Sequence, residues 1–246
     1  MSPEISARPL DSSLSFRSSV FDVRSLRGLV VSCQAPADSP LHDPVIIAAL
    51  AATACQNGAV GVRIDSPEHI RAVRARLDSP IIGLWKQSHP QSEVYITPTF
   101  ADARAVAESG ADLIAVDATG RPRPGREHLA TLIERIHNEL GKPVLADVAT
   151  LEEAQAAARC GADCVATTLC GYTDRTAGEP LPAIELVAAL SANLDVPVWC
   201  EGGVSEPEQL ALAMVRGARV VVVGTALTGI DHRVRMFVRA QTESGQ

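Results

Sequence analysis

Apolar residues in this chain come in short runs, and one punctuation mark recurs in front of them. Gly58-Ala59, Gly110-Ala111-Asp112, Gly161-Ala162-Asp163 and Gly217-Ala218-Arg219 each close a helical pattern and open an apolar run. Glycine just past a helix accepts the left-handed backbone that releases the chain into the next strand. The runs that follow are Val60 to Ile64, Leu113 to Asp117, Cys164 to Thr168 and Val220 to Gly224. Pro80 to Trp85, Pro143 to Val148 and Pro197 to Glu201 are entered through proline, and Gly28 to Cys33 opens the series, for eight runs in all.

Between the runs, apolar residues recur at three- and four-residue spacing, as in Val45 to Asn57 and Leu151 to Arg159, which predicts helices. Ser66 and Thr150 stand at N-cap positions, and Thr150-Leu151-Glu152-Glu153 has the form of a capping box. Ser205-Glu206-Pro207-Glu208 opens another helix with proline in its first turn. Strands alternating with helices imply parallel pairing through right-handed crossovers, and eight units favour closure into a single (β/α)8 TIM barrel. Glu93 to Thr97 is an extra strand-like piece, expected as a loop elaboration over the barrel mouth. Residues 1–25 read as a flexible N-terminal tail, and 26–246 as the barrel domain.

Length and composition agree with this. A chain of 246 residues fits one such barrel, and the dominance of Val, Ala and Ile suits strands covered on both sides. The net charge of −7 argues against nucleic-acid or membrane partners, which call for a basic surface, and leaves room for a small anionic substrate. No apolar run is long enough to cross a bilayer, and the Ser- and Arg-containing start lacks the apolar stretch of a secretory signal. Six cysteines without a Cys-x-x-Cys pair read as free thiols, which points to the cytoplasm.

The chemistry of this fold gathers at the C-terminal ends of the strands. Those positions carry Gln34, Arg63, Lys86, Asp117, Asp147, Thr167 with Thr168, Glu201 and Gly224, which is too many polar groups aimed at one ring to be solvent-facing accidents. Lys86 follows the apolar stretch Ile81 to Trp85. It is either a surface lysine at a loop start or a base or Schiff-base amine with its pKa lowered by desolvation and neighbouring cations such as Arg63. A nearby Glu201 would instead hold it charged. Glu201 itself is either a structural ion-pair partner or an acid–base group. Gly202-Gly203 and Gly224-Thr225 follow strands seven and eight, where this fold commonly binds phosphate through backbone N–H groups. The six histidines show no ligand-like spacing and read as surface or capping residues, so no metal is expected. No dinucleotide or nucleoside-triphosphate fingerprint occurs.

At the strand ends the sequence resembles the bacterial N-acetylmannosamine-6-phosphate 2-epimerase family, from about Leu26 to Ala226. The resemblance is carried by Val31-Ser32-Cys33-Gln34-Ala35, Pro40-Leu41-His42, Ile81 to Lys86, Val94 to Thr99, Asp117-Ala118-Thr119 with Arg123-Pro124, Ala146 to Glu153, Thr167 to Thr173 and Glu201-Gly202. It implies a cofactor-independent enzyme that interconverts N-acetylmannosamine 6-phosphate and N-acetylglucosamine 6-phosphate in amino-sugar or sialic-acid catabolism. It further implies that Lys86 moves the C2 proton with Glu201 as acid–base partner, that Gln34, Arg63, Asp147 and Thr168 orient the sugar, and that the chain is a homodimer. Two positions depart from the family pattern: Gly203 and Gly229 stand where arginine is common, with Arg233 or Arg235 as candidate replacements. Another sugar-phosphate isomerase or epimerase on the same barrel is the alternative among enzymes, and a non-catalytic amino-sugar sensor the alternative outside them.

Overall fold

A computed structural model of the chain describes residues 21–243. Eight parallel strands close into a barrel: β1 (Gly28–Cys33), β2 (Gly61–Asp65), β3 (Ile81–Leu84), β4 (Leu113–Asp117), β5 (Val144–Asp147), β6 (Cys164–Ala166), β7 (Val198–Glu201) and β8 (Val220–Val223). Pairing of Gly28 with Val220 through Val31 with Val223 closes the ring. The helices α1 (Pro44–Gln56), α2 (Pro67–Arg74), α3 (Phe100–Glu108), α4 (Leu129–Arg135), α5 (Leu151–Arg159), α6 (Ile184–Asn193) and α7 (Pro207–Val215) alternate with the strands. After β8 come a single turn, α8 (Thr225–Thr228), and the last helix, α9 (Ile230–Glu243).

The sequence punctuation does what its chemistry allows. Gly58, Gly110, Gly161 and Gly217 have φ of 98°, 103°, 98° and 105°, values that side chains disfavour. Ser66 caps α2 and Thr150 caps α5. The reciprocal half of the expected α5 box is displaced: Glu153 accepts from the N–H groups of Ala149 and Gly120. At α7 the capping box belongs to Glu206 and Gln209.

Alternation along the strands creates two apolar layers. One set, including Val62, Ile64, Ile114, Val144, Ala146 and Cys200, packs outward against the helices. The other, including Val30, Ile82, Leu84, Ala115, Leu145 and Trp199, fills the barrel. The tail expected over residues 1–25 lies outside the described residues as far as 20. From Phe21 the chain is packed: Val23–Ser25 forms a short turn capped by Asp22, and Val23 and Leu26 join the interior layer under β1.

Glu93 to Thr97 forms a strap rather than a ninth strand. Ile96 bridges antiparallel to Lys86. Gln87 N–H donates to Tyr95 O at 2.9 Å, and Thr97 N–H to Trp85 O at 2.8 Å. On its other side Ile96 O accepts from Asp117 N–H at 2.9 Å. Ile96 is buried at the top of the interior layer, so the strap closes the barrel core and floors the site above it.

Candidate active site

Period two decides which side chains enter the barrel. On β2, Val62 and Ile64 face the helices, so Arg63 and Asp65 face inward. By the same alternation Asp117, Asp147 and Glu201 point in from β4, β5 and β7, above the apolar layer of Ala115, Leu145 and Trp199. A cavity of about 1160 Å³ opens over these strand ends, somewhat larger than most small-molecule sites, ~300–1000 Å³. Gln34, Arg63, Lys86, Thr168, Glu201, Gly202, Gly203, Gly224 and Thr225 all line it.

Arg63 is the charge centre of the floor. It is 1% exposed and lies deeper than a strand-end residue, because β2 runs on to Asp65. Its two terminal nitrogens donate to Asp147 at 3.0 and 2.7 Å, a bidentate geometry suited to guanidinium. Burial alone would lower the Arg63 pKa, but Asp147 and Glu201 overcome that and raise it. Thr168 Oγ1 also donates to Asp147.

Glu201 is held differently. Its Oε2 stands 2.8 Å from Arg63 Nη1 yet has no aligned hydrogen bond. Burial pushes this carboxyl up to about 7; Asp147 adds to the rise, while Arg63, Lys86 and Thr168 oppose it. The group is therefore poised to hold or release a proton near neutrality, as acid–base chemistry requires.

Lys86 lies two residues past β3, clasped by the strap. Its side chain is 46% exposed, and Nζ donates to Gln34 Oε1 at 2.5 Å. Gln34 Nε2 in turn donates to Ser32 Oγ at 3.0 Å, which fixes the amide orientation. Asp65 accepts from the Lys86 backbone N–H at 2.9 Å and brings a carboxylate oxygen to 3.8 Å from Nζ. Arg63, expected to act on Lys86, is instead engaged by Asp147 and Glu201.

Not every strand end joins the site. Asp117 is turned onto Thr119 and Arg121 and does not line the cavity. Asp147 is fully buried, absent from the cavity lining, and hydrogen-bonded to Arg63 and Thr168, which do line it. Thr167 exchanges hydrogen bonds with the Glu201 backbone. The sequence reading missed Asp65, Ser32 and Tyr95, all cavity-lining. Asp65 could have been found as the true last residue of β2, and Ser32 by alternation from Val30. Tyr95 carried no signal beyond its place in the strap. His42 is exposed at the cavity wall, while His69 is buried with its ring 4.6 Å away, so His69 is not the surface histidine expected.

All six cysteines are free. Among the described residues no helix is long and apolar enough to cross a membrane, and no cluster of three or more His, Cys, Asp or Glu side chains is arranged to hold a metal ion.

Residues 47–243 match the family model described as "Putative N-acetylmannosamine-6-phosphate epimerase". The chain belongs to this epimerase family. A Thermosynechococcus vestitus protein named "Putative N-acetylmannosamine-6-phosphate 2-epimerase" shares 58% identity over 213 residues, covering 87% of this chain and 92% of that one. The Synechococcus elongatus protein of the same name shares 55% over 215 residues, covering 87% and 93%. Among solved structures, the N-acetylmannosamine-6-phosphate 2-epimerase from Clostridium perfringens superposes with a TM-score of 0.83 at 37% identity, covering 86% of this chain and 92% of that one. A thiamine phosphate pyrophosphorylase from Pyrococcus furiosus, at 17% identity and TM-score 0.57, shares the fold alone.

Proposed function

We propose that this protein interconverts N-acetylmannosamine 6-phosphate and N-acetylglucosamine 6-phosphate by removing and returning the proton at C2. The observation that carries this is the meeting of Lys86 and Glu201 in one cavity, with Glu201 raised to about 7, in a chain of the epimerase family.

The chemistry follows from the substrate. Once the sugar ring opens, C2 lies beside the C1 aldehyde, and its proton can leave to form an enolate. No electron is gained or lost, so side chains able to move protons suffice and no cofactor is required. Lys86 Nζ takes and returns the C2 proton. Glu201, which holds or yields a proton near pH 7, serves the sugar oxygens during ring opening and enolate formation. Gln34 positions Nζ. Arg63 and Asp147 form the fixed charges beneath, and the Thr168 hydroxyl aligns Asp147. Gly202 and Gly203 after β7, with Gly224 and Thr225 after β8, face the phosphate end. This reaction belongs to amino-sugar and sialic-acid catabolism in the cytoplasm, where six free cysteines persist.

The protein works as a homodimer. On α9, Ile230, Val234, Phe237 and Val238 recur at helical spacing and are 52%, 54%, 71% and 52% exposed, an apolar stripe suited to burial against a second copy. Sedimentation of Phe237→Asp should give monomers where the native chain gives dimers.

The reaction is tested by incubating the protein with N-acetylglucosamine 6-phosphate in D2O and following C2 by NMR. Deuterium should enter C2 as the epimer appears, and Lys86→Ala should abolish both. Bound substrate with neither exchange nor epimer would refute the reading and favour a sensor.

A further inference from the structure

The cavity carries more positive charge than the chemistry at C2 uses. Four side chains of fixed or strong cationic character line it: Arg63, Lys86, Arg233 and Arg235. Arg63 is committed to Asp147 and Glu201, and Lys86 to Gln34 and Asp65. Among the described residues, the side chains of Arg233 and Arg235 make neither an ion pair nor a hydrogen bond. The Arg233 guanidinium carbon lies 6.0 Å from the Phe237 ring centre. The nearby Asp231 is occupied by Ser39 Oγ at 2.9 Å.

Helical geometry aims these arginines. At 100° per residue, His232, Arg235, Met236 and Arg233 occupy one half of α9. All four line the cavity. Ile230, Val234, Phe237 and Val238 occupy the other half. One helix thus turns a cationic face to the site and an apolar face away from it.

The loops beside these arginines cannot supply cations of their own at two key points. Gly203 has φ of 74°, and a Cβ there would lie 2.5 Å from Leu181 Cβ. A Cβ on Gly229 would lie 2.7 Å from Thr225 O and 2.8 Å from Thr225 Cα. Both positions are confined to bare backbone.

We infer that Arg233 and Arg235 neutralise the phosphate dianion of the substrate and so determine the preference for a phosphorylated sugar. This rests on the reading that the substrate is a sugar phosphate. The loops after β7 and β8 approach the anion through backbone alone, and its compensating charge arrives from the last helix. Glu206, the other acidic group near this rim, caps α7 with Gln209, so neither it nor Asp231 pairs with the two guanidinium groups.

The test uses Arg233→Gln, Arg235→Gln and the double variant, with inorganic phosphate and two sugars as probes. For the double variant, the ratio of kcat/KM on N-acetylmannosamine 6-phosphate to that on N-acetylmannosamine should fall about tenfold or more, chiefly through KM. Binding of inorganic phosphate, read by calorimetry, should weaken by a similar factor, and the Lys double variant should recover part of it. A ratio and a phosphate affinity within about twofold of the native values, in a variant with native melting temperature, would overturn the inference. So would a native protein that turns over both sugars equally. The phosphate titration needs no turnover. If the native chain lacks epimerase activity, the reaction assignment fails, while loss of phosphate binding in the double variant still supports the arginine site.

Discussion

Replacing Glu201 by Gln should make the protein more stable, and increasingly so as pH rises. In the folded chain this carboxyl is raised from its ordinary 4.5 to about 7, so the native state binds its proton more tightly than the unfolded chain does. Stability from this group is fully present below pH 4.5, declines as pH rises from there, and is lost by about pH 7, above which ionised Glu201 is a standing penalty. The gap corresponds to about 3 kcal/mol. Glutamine keeps the shape, cannot ionise, and removes the penalty. The side chain is only 14% exposed, so solvent screening discounts it little. Thermal unfolding of both proteins from pH 5 to pH 8.5 should show melting temperatures that nearly coincide at pH 5. The variant should lead by roughly 5–10 °C at the alkaline end. Epimerase activity should be lost at every pH, since glutamine carries no exchangeable acid–base proton. A melting difference that stays constant across the range would refute the idea that Glu201 is ionised against its surroundings. A difference growing toward acid would show that Arg63 dominates burial.

Arg63→Met leaves Asp147 buried without its counter-charge; urea unfolding should show a loss of about 3–5 kcal/mol and NMR no epimer. Thr168→Val removes the hydroxyl that aligns Asp147, and should cost about 1–2 kcal/mol in kcat/KM with the melting temperature little changed. Gly203→Ala forces a side chain into positive φ against Leu181, and should destabilise by roughly 1–3 kcal/mol in urea. Lys86→Met removes an amine whose side chain is 46% exposed; stability should hold within about 0.5 kcal/mol while deuterium exchange at C2 disappears.

The barrel was legible in the sequence because its signals are local. A glycine at the end of α1, α3, α5 or α7 and the apolar run after it lie side by side in the chain, and each fixes a boundary. The polar strand ends that line the cavity were legible for the same reason, since strand ends can be located once strands are. What escaped depends on contacts across the barrel. Arg63 looked like a strand terminus, but one further residue of pairing, Asp65 with Leu84, draws it into the interior. There it meets Asp147 from a strand 84 residues away. Asp65 was hidden by the same misplacement. The buried His69 is set by its packing on His42, which no spacing among histidines announces. Tyr95 sits in a strap whose position comes from backbone hydrogen bonds to Trp85 and Gln87, independent of side-chain pattern.

Loops at the mouth of a (β/α)8 barrel are ordinarily its interchangeable parts, varied or transplanted while the strands stay put. The segment between β3 and α3 breaks that division of labour. Lys86 belongs to it, and the strap both clasps the Lys86 backbone and rests through Ile96 on the end of β4. Shortening or swapping this loop would move the Lys86 amine and unroof the interior layer together. For anyone redesigning this scaffold, specificity is better sought in the β7 and β8 loops and in α9. The β3 loop should be inherited whole.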